Sequence, residues 1–178
     1  MLTAIKYFPG QGSAGNDFHQ GFVDVSKSWD AKELLPFQEL IADPGCDMVM
    51  VGHIFNRRLD PDWPATLSEK MINGILRQRL GYEGVVISAD MQVPAIRDNY
   101  SLETVLERAI LAGVDIILFG NNLVYEPDIV NRSIETIMEL IDQDRISKSS
   151  INESYDRIID LKVGLKPLVE SDCSFCLE

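Results

Sequence analysis

The chain has 178 residues, 46% of them hydrophobic, enough to bury one core and about the length of one domain. A formal net charge of -12 argues against nucleic acid and anionic membrane as main partners, because both would repel it. No apolar run reaches the roughly 18 residues of a membrane span, and residues 1–6 lack the charged segment and long apolar run of a signal peptide, so a cytoplasmic location is expected.

Four short apolar runs without alternation punctuate the chain, at residues 3–8, 47–53, 84–88 and 115–120. Such runs suit strands buried on both faces of a parallel sheet. After the first, Asp30-Ala31-Lys32-Glu33 fits a capping box. Pro36 then interrupts the apolar pattern of Leu34, Leu35, Phe37, Leu40 and Ile41, which predicts a short turn and a helix restarting at Pro36. Thr66-Leu67-Ser68-Glu69 fits a second capping box, opening a helix through Leu80 with Gly81 as its stop. Ser101 is expected to cap a helix that Gly113 ends. Pro127 suits the first turn of a helix whose Val130, Ile134, Ile137, Met138 and Ile141 would share one buried face. The last helix is expected to begin at the capping box Ser150-Ile151-Asn152-Glu153 and to bury Ile151, Tyr155, Ile158 and Ile159. Residues 166–178 show no periodicity and read as a tail behind a domain at 1–165.

Strands alternating with helices give an α/β protein with right-handed crossovers. Sequence physics leaves two architectures: an open doubly wound sheet of four strands, or half of a TIM (β/α)8 barrel, which in full needs about 200 to 250 residues. A half barrel leaves two sheet edges open, a hazard unless another copy, a partner or a rearranged helix covers them. Cys46 lies far from Cys173 and Cys176, so no disulfide framework is legible, and one CxxC without a second ligand pair reads as incidental. No cofactor and no metal are expected.

The chemistry concentrates near the first strand. Asp17-Phe18-His19 sets a carboxylate and an imidazole two residues apart, close enough on a bent loop for Asp17 to orient one ring nitrogen while the other meets a substrate. An imidazole near pKa 6.5 suits acid and base work near neutral pH. Lys6 sits near the end of the first strand and His53 ends the second, at the end where ligand-facing residues of α/β barrels collect. Gly10-Gln11-Gly12-Ser13-Ala14-Gly15 matches GxGxxG literally. A dinucleotide site needs a helix starting within that turn, and the following residues 16–21 lack apolar periodicity, so the glycines are read as loop flexibility.

Lys6-Tyr7-Phe8-Pro9-Gly10-Gln11-Gly12 followed by Asp17-Phe18-His19 resembles the acid/base segment of the β-N-acetylhexosaminidase branch of glycoside hydrolase family three. In that branch Tyr7 and Gln11 would be histidines, and a small residue would stand at Phe18. The resemblance runs from about Ile5 to Gly164 and implies the later half of the catalytic barrel, so that domain 1–165 is a partial catalytic domain. It implies that His19, oriented by Asp17, protonates the glycosidic oxygen, that Lys6 hydrogen-bonds sugar hydroxyls, and that Tyr7 and His53 lie near the sugar pocket. The stretches Leu59-Asp60-Pro61 and Pro64-Ala65-Thr66-Leu67-Ser68 also resemble the branch, where they read as a loop and helix cap.

In the third strand the branch carries Ser-Asp or Thr-Asp, and that Asp attacks the anomeric carbon. This chain has Ser88-Ala89-Asp90-Met91, so Ala89 occupies the nucleophile position. Successive strand side chains point to opposite faces, so Asp90 could substitute only through a bulge or a local shift at the strand end. The expectation is a polypeptide built for retaining hydrolysis of terminal β-linked N-acetylglucosamine but inactive alone. Alternatives are a non-catalytic relative that binds sugar or protein, and a β-glucosidase specificity. The expected partners are a carbohydrate and either a missing half barrel or a second copy.

Overall fold

The computed structural model describes residues 2–14, 23–43, 45–122 and 124–164. Its frame is a four-stranded sheet of β1 (Ala4–Phe8), β3 (Met48–Val51), β5 (Val85–Asp90) and β6 (Ile116–Leu118), all parallel and adjacent in chain order. A doubly wound sheet reverses its order at a switch point, and this one does not. Each strand lies beside its predecessor in one sense, which is the order of consecutive barrel strands. The fold is therefore an α/β partial barrel. A second, two-residue pairing joins β2 (Val23–Asp24) to β4 (Ile54–Phe55) in parallel beside the main sheet.

Helices line the outside. Asp30 accepts from the Lys32 amide at 2.9 Å and starts a 3-10 turn, Ala31–Leu34, that runs into α1 (Leu35–Leu40) with Pro36 in its first turn. A wide helix, Lys70–Arg79, closes with a bond from the Leu80 amide to the Ile75 carbonyl, five residues back. Its start differs from the capping box expected at Thr66. Thr66 is turned to His53 instead, and the Ser68 hydroxyl accepts from the Met71 amide at 3.2 Å. After the short α2 (Pro94–Arg97), α3 (Leu102–Ala112) has the expected ends: Ser101 accepts from the Thr104 amide, and Gly113 takes the left-handed conformation with φ 99°.

The last two helices correct the expectations. In α4 (Ile129–Asp142) the buried residues are Ile129, Ser133 and Leu140, while Val130, Ile134 and Met138 are exposed. The Ser133 hydroxyl donates to the Ile129 carbonyl at 2.7 Å, which lets a serine sit on the buried face. Helix α5 (Lys148–Val163) begins three residues early because Ser147, not Ser150, accepts the capping bond, from the Ser150 amide. No residue of α5 is fully buried, and Tyr155 is exposed.

The two faces of the sheet differ. Val49, Val51 and Val86 pack with Phe8, Phe37, Met71, Ile72 and Leu76 in the main core between sheet and helices. A smaller core joins Leu106, Ile110, Leu140 and Ile146 where α3 meets α4. On the opposite face the register aligns Lys6, Met50, Ile87 and Ile116 in one row and Ala4, Met48 and Val85 in the next. Met48, Met50, Ile87 and Ile116 are half-buried and belong to neither core. The apolar runs predicted burial on both faces, but that requires a closed barrel, whose interior side chains fill one another's space.

Candidate active site

The C-terminal ends of the parallel strands gather one exit from each βα unit. From β1, Lys6 is exposed on the inner face, and its Nζ lies 5.3 Å from the centroid of the half-buried Tyr7 ring. Phe8, fully buried, meets Phe37 edge-on at 5.2 Å, and the Trp29 indole donates to the Pro9 carbonyl at 3.0 Å. The chain then turns through Gly10, whose φ is +117°. A Cβ there would lie 2.6 Å from the Glu33 Cβ, so only glycine admits this approach. Glu33 fastens the turn: its carboxylate accepts from the Gly12 amide at 3.1 Å and the Ser13 hydroxyl at 2.6 Å. The buried Gln11 side-chain oxygen has no partner among the described residues. Asp17, Phe18 and His19 lie outside the described residues.

His53, at the exit of β3, is fully buried. Its Nε2 lies 2.9 Å from the Asp90 carbonyl and its Nδ1 2.8 Å from the Thr66 hydroxyl. A carbonyl can only accept, so Nε2 carries the hydrogen and Nδ1 accepts from Thr66. Burial pushes the pKa of His53 down to about 4. The ring is a neutral strut between the β3 and β5 exits. Asp60, 2% exposed, accepts from the Ser68 hydroxyl at 2.6 Å and so folds the loop that carries Thr66 to His53.

At the exit of β5, Ala89 is buried, with 4% exposure. Asp90 follows, half-buried. Pairing of β5 with β6 matches Ile87 to Ile116 but Asp90 to Leu118, so β5 uses three steps where β6 uses two. The irregularity is of the bulge kind. Asp90 Oδ1 accepts from the Gly120 amide at 2.9 Å and the Gln92 amide at 3.0 Å. A Cβ on Gly120 would come within 2.5 Å of Asp90 Oδ2, so that glycine is what lets the carboxylate lie against the β6 exit. Gln92, 6% exposed, extends the same tie: it accepts from the Asn121 amide at 2.6 Å and donates to the Val124 carbonyl at 3.3 Å. Motif reasoning missed Glu33, Thr66 and Gln92 as positioning groups. They act through contacts distant in sequence, and no short-range pattern announces them.

Of the residues singled out from sequence, Lys6 and Tyr7 thus lie on β1, and His53, Ala89 and Asp90 at the exits of β3 and β5 beside it. The family described as the glycosyl hydrolase family 3 N terminal domain matches residues 1–161. The chain belongs to glycosyl hydrolase family 3.

Within that family the chain is 28% identical to β-hexosaminidase A of Pseudoalteromonas piscicida, over 93% of this chain and 30% of the relative. It is 34% identical to the β-hexosaminidase of Xylella fastidiosa, over 77% of this chain and 40% of the relative. The crystal structure of the β-N-acetylglucosaminidase from Thermotoga maritima superposes with a TM-score of 0.75 at 32% identity, covering 93% of this chain and 35% of that one. This family 3 chain therefore spans well under half the length of each of these relatives.

Proposed function

We propose that this chain is one half of a retaining β-N-acetylhexosaminidase barrel that has lost its attacking carboxylate and, by itself, does not hydrolyse β-N-acetylglucosaminides. The observation that carries the reading is Ala89, a buried methyl group at the exit of β5 where the family motif carries its nucleophile. Double displacement needs a carboxylate there to form the glycosyl-enzyme intermediate, and a methyl group has no lone pair to attack with. Asp90, one residue on beside the bulge, accepts two backbone amides of the β5 and β6 exits on Oδ1; in this reading it positions those loops. His19, oriented by Asp17, keeps the acid and base role that the motif implies, and Lys6 and Tyr7 face the sugar. His53 supports the pocket wall from behind. In this reading residues 1–165 are the catalytic half and 166–178 a tail.

Turnover of a chromogenic N-acetylglucosaminide by the purified chain is expected to be negligible, and robust hydrolysis would overturn the proposal. Ala89→Asp is expected to give turnover only when a fragment carrying the other four βα units is supplied. Recovery by Ala89→Asp alone would refute the need for the other half. Exposure of Lys6 on the inner face favours a second, non-catalytic reading, sugar binding without hydrolysis. Calorimetric titration with N-acetylglucosamine tests it: heat supports binding, and its absence refutes it.

A further inference from the structure

Asp90 faces the inside of the partial barrel, against the simple alternation of its strand. On β6, Ile116 and Leu118 are two residues apart, half-buried and part of neither core, whereas Ile117 and Phe119 pack against the cores on the other face. Ile116 and Leu118 therefore look inward. Residues level with one another on neighbouring strands face the same way, and β5 sets Ile87 level with Ile116 and Asp90 level with Leu118. The extra residue between Ile87 and Asp90 turns Asp90 back to the inner face. Gly120, two residues past Leu118, gives the same answer independently, because a Cβ on it would meet Asp90 Oδ2 at 2.5 Å. Lys6, level with Met50 and Ile87, stands on that inner face two strand spacings away, about 10 Å.

The two oxygens of this carboxylate have different surroundings. Oδ1 accepts from the Gln92 and Gly120 amides. Oδ2 accepts no hydrogen bond from any described residue, although Asp90 is half-buried. A half-buried anionic oxygen calls for a donor. We propose, on the sugar-binding reading given above, that Asp90 Oδ2 accepts a hydrogen bond from one hydroxyl of N-acetylglucosamine while other hydroxyls of the same ring face Lys6 across β3. An ammonium can only donate and a carboxylate can only accept, whereas a hydroxyl does both, so the pair fixes which way round the ring lies. Opposite charges on its two sides leave the site near neutral, which suits an uncharged sugar. The amide ties hold the carboxylate against the β6 exit, one residue past the position of the family nucleophile, so Asp90 holds a hydroxyl and forms no bond to carbon.

Calorimetric titration of N-acetylglucosamine into the protein and its Asp90→Asn variant tests this. Asparagine keeps an acceptor for the two amides and puts an amide nitrogen in place of the free anionic oxygen, so affinity should fall about tenfold or more. Hydrogen exchange at the Gln92 and Gly120 amides should stay slow, which reports that the ties survive. Should that variant lose its fold, Gly120→Ala serves instead, because its methyl crowds Oδ2 without changing any charge and should weaken binding likewise. Repeating the titrations with a series of mono-deoxy N-acetylglucosamines separates contact from indirect disturbance. One deoxy sugar, lacking the hydroxyl that meets Oδ2, should bind the wild type and the variant with equal affinity, whereas a disturbed loop would lower affinity uniformly across the series. Unchanged affinity, or a uniform loss, would overturn the role of Asp90 and leave the sugar-binding reading standing. Absence of heat with the wild-type protein would overturn both. Turnover of a chromogenic N-acetylglucosaminide that Asp90→Asn abolishes would make Asp90 the attacking group, and would overturn its role as a hydroxyl acceptor together with the loss of the nucleophile.

Discussion

The two ends of the strands are held in opposite ways. At the base, the Asp115 side chain is fully buried and makes four bonds to three elements. It accepts from the Arg77 guanidinium and the Val86 amide, both at 2.8 Å, and from the Ser154 hydroxyl and Arg157 guanidinium at 2.8 and 2.9 Å. The wide helix, β5 and α5 are locked to one carboxylate. At the mouth no comparable hub exists among the described residues. His53 bridges the Thr66 loop and the β5 exit, and Gln92, Asp90 and Glu33 each tie neighbouring loops. A mouth built of separate ties can vary at a single position without consequence for the base.

Removing the hub should have the largest effect. Asp115→Ala strands two guanidiniums in a buried site, and urea denaturation is expected to show a loss of about 3–5 kcal/mol. If Asp115→Ala costs no more than a mouth substitution, the contrast between the ends fails. His53→Leu comes next, because it leaves the Thr66 hydroxyl and the Asp90 carbonyl without a buried partner, at about 2 kcal/mol. It also carries a signature in pH. Unfolded, His53 takes up a proton below pH 6.5, whereas the folded ring refuses it until about pH 4, so stability is lost as pH falls between those values. Stability of His53→Leu should depend less on pH across that window, and an unchanged profile would show that His53 is not the strut described. Glu33→Ala should be mildest, about 1 kcal/mol, and its readout is local. Hydrogen exchange at the Gly12 amide is expected to accelerate while amides of β3 and β5 stay protected. Acceleration throughout the sheet would instead place Glu33 in the core of the fold.

Much of this was legible in the chain itself. Apolar runs located the four main strands, and Ser101 with Gly113 marked both ends of α3, because caps are local chemistry. The face of α4 was not legible. Apolar residues make up half of that helix, so periodicity could not choose between the set of Val130, Ile134 and Met138 and the set of Ile129, Ser133 and Leu140; packing against α3 chose the second. Thr66 looked like a helix cap because the sequence cannot show that His53, thirteen residues earlier, competes for its hydroxyl. The β2 and β4 pair is two residues long, too short for any pattern to declare. At the candidate site, the motif pointed to Lys6, Ala89 and Asp90, which lie on β1 and β5, but it could not show the bulge beside Asp90 or the amides that hold its carboxylate.

The sequence by itself determined the family, the α/β alternation and the absence of a carboxylate at position 89, since each is written in residue identity and local spacing. Only the tertiary structure decided which sheet face is left half covered, which helix stripe points outward, and that Asp115 holds the base. Those properties depend on contacts between residues far apart in sequence, and such contacts are fixed by the way the elements pack.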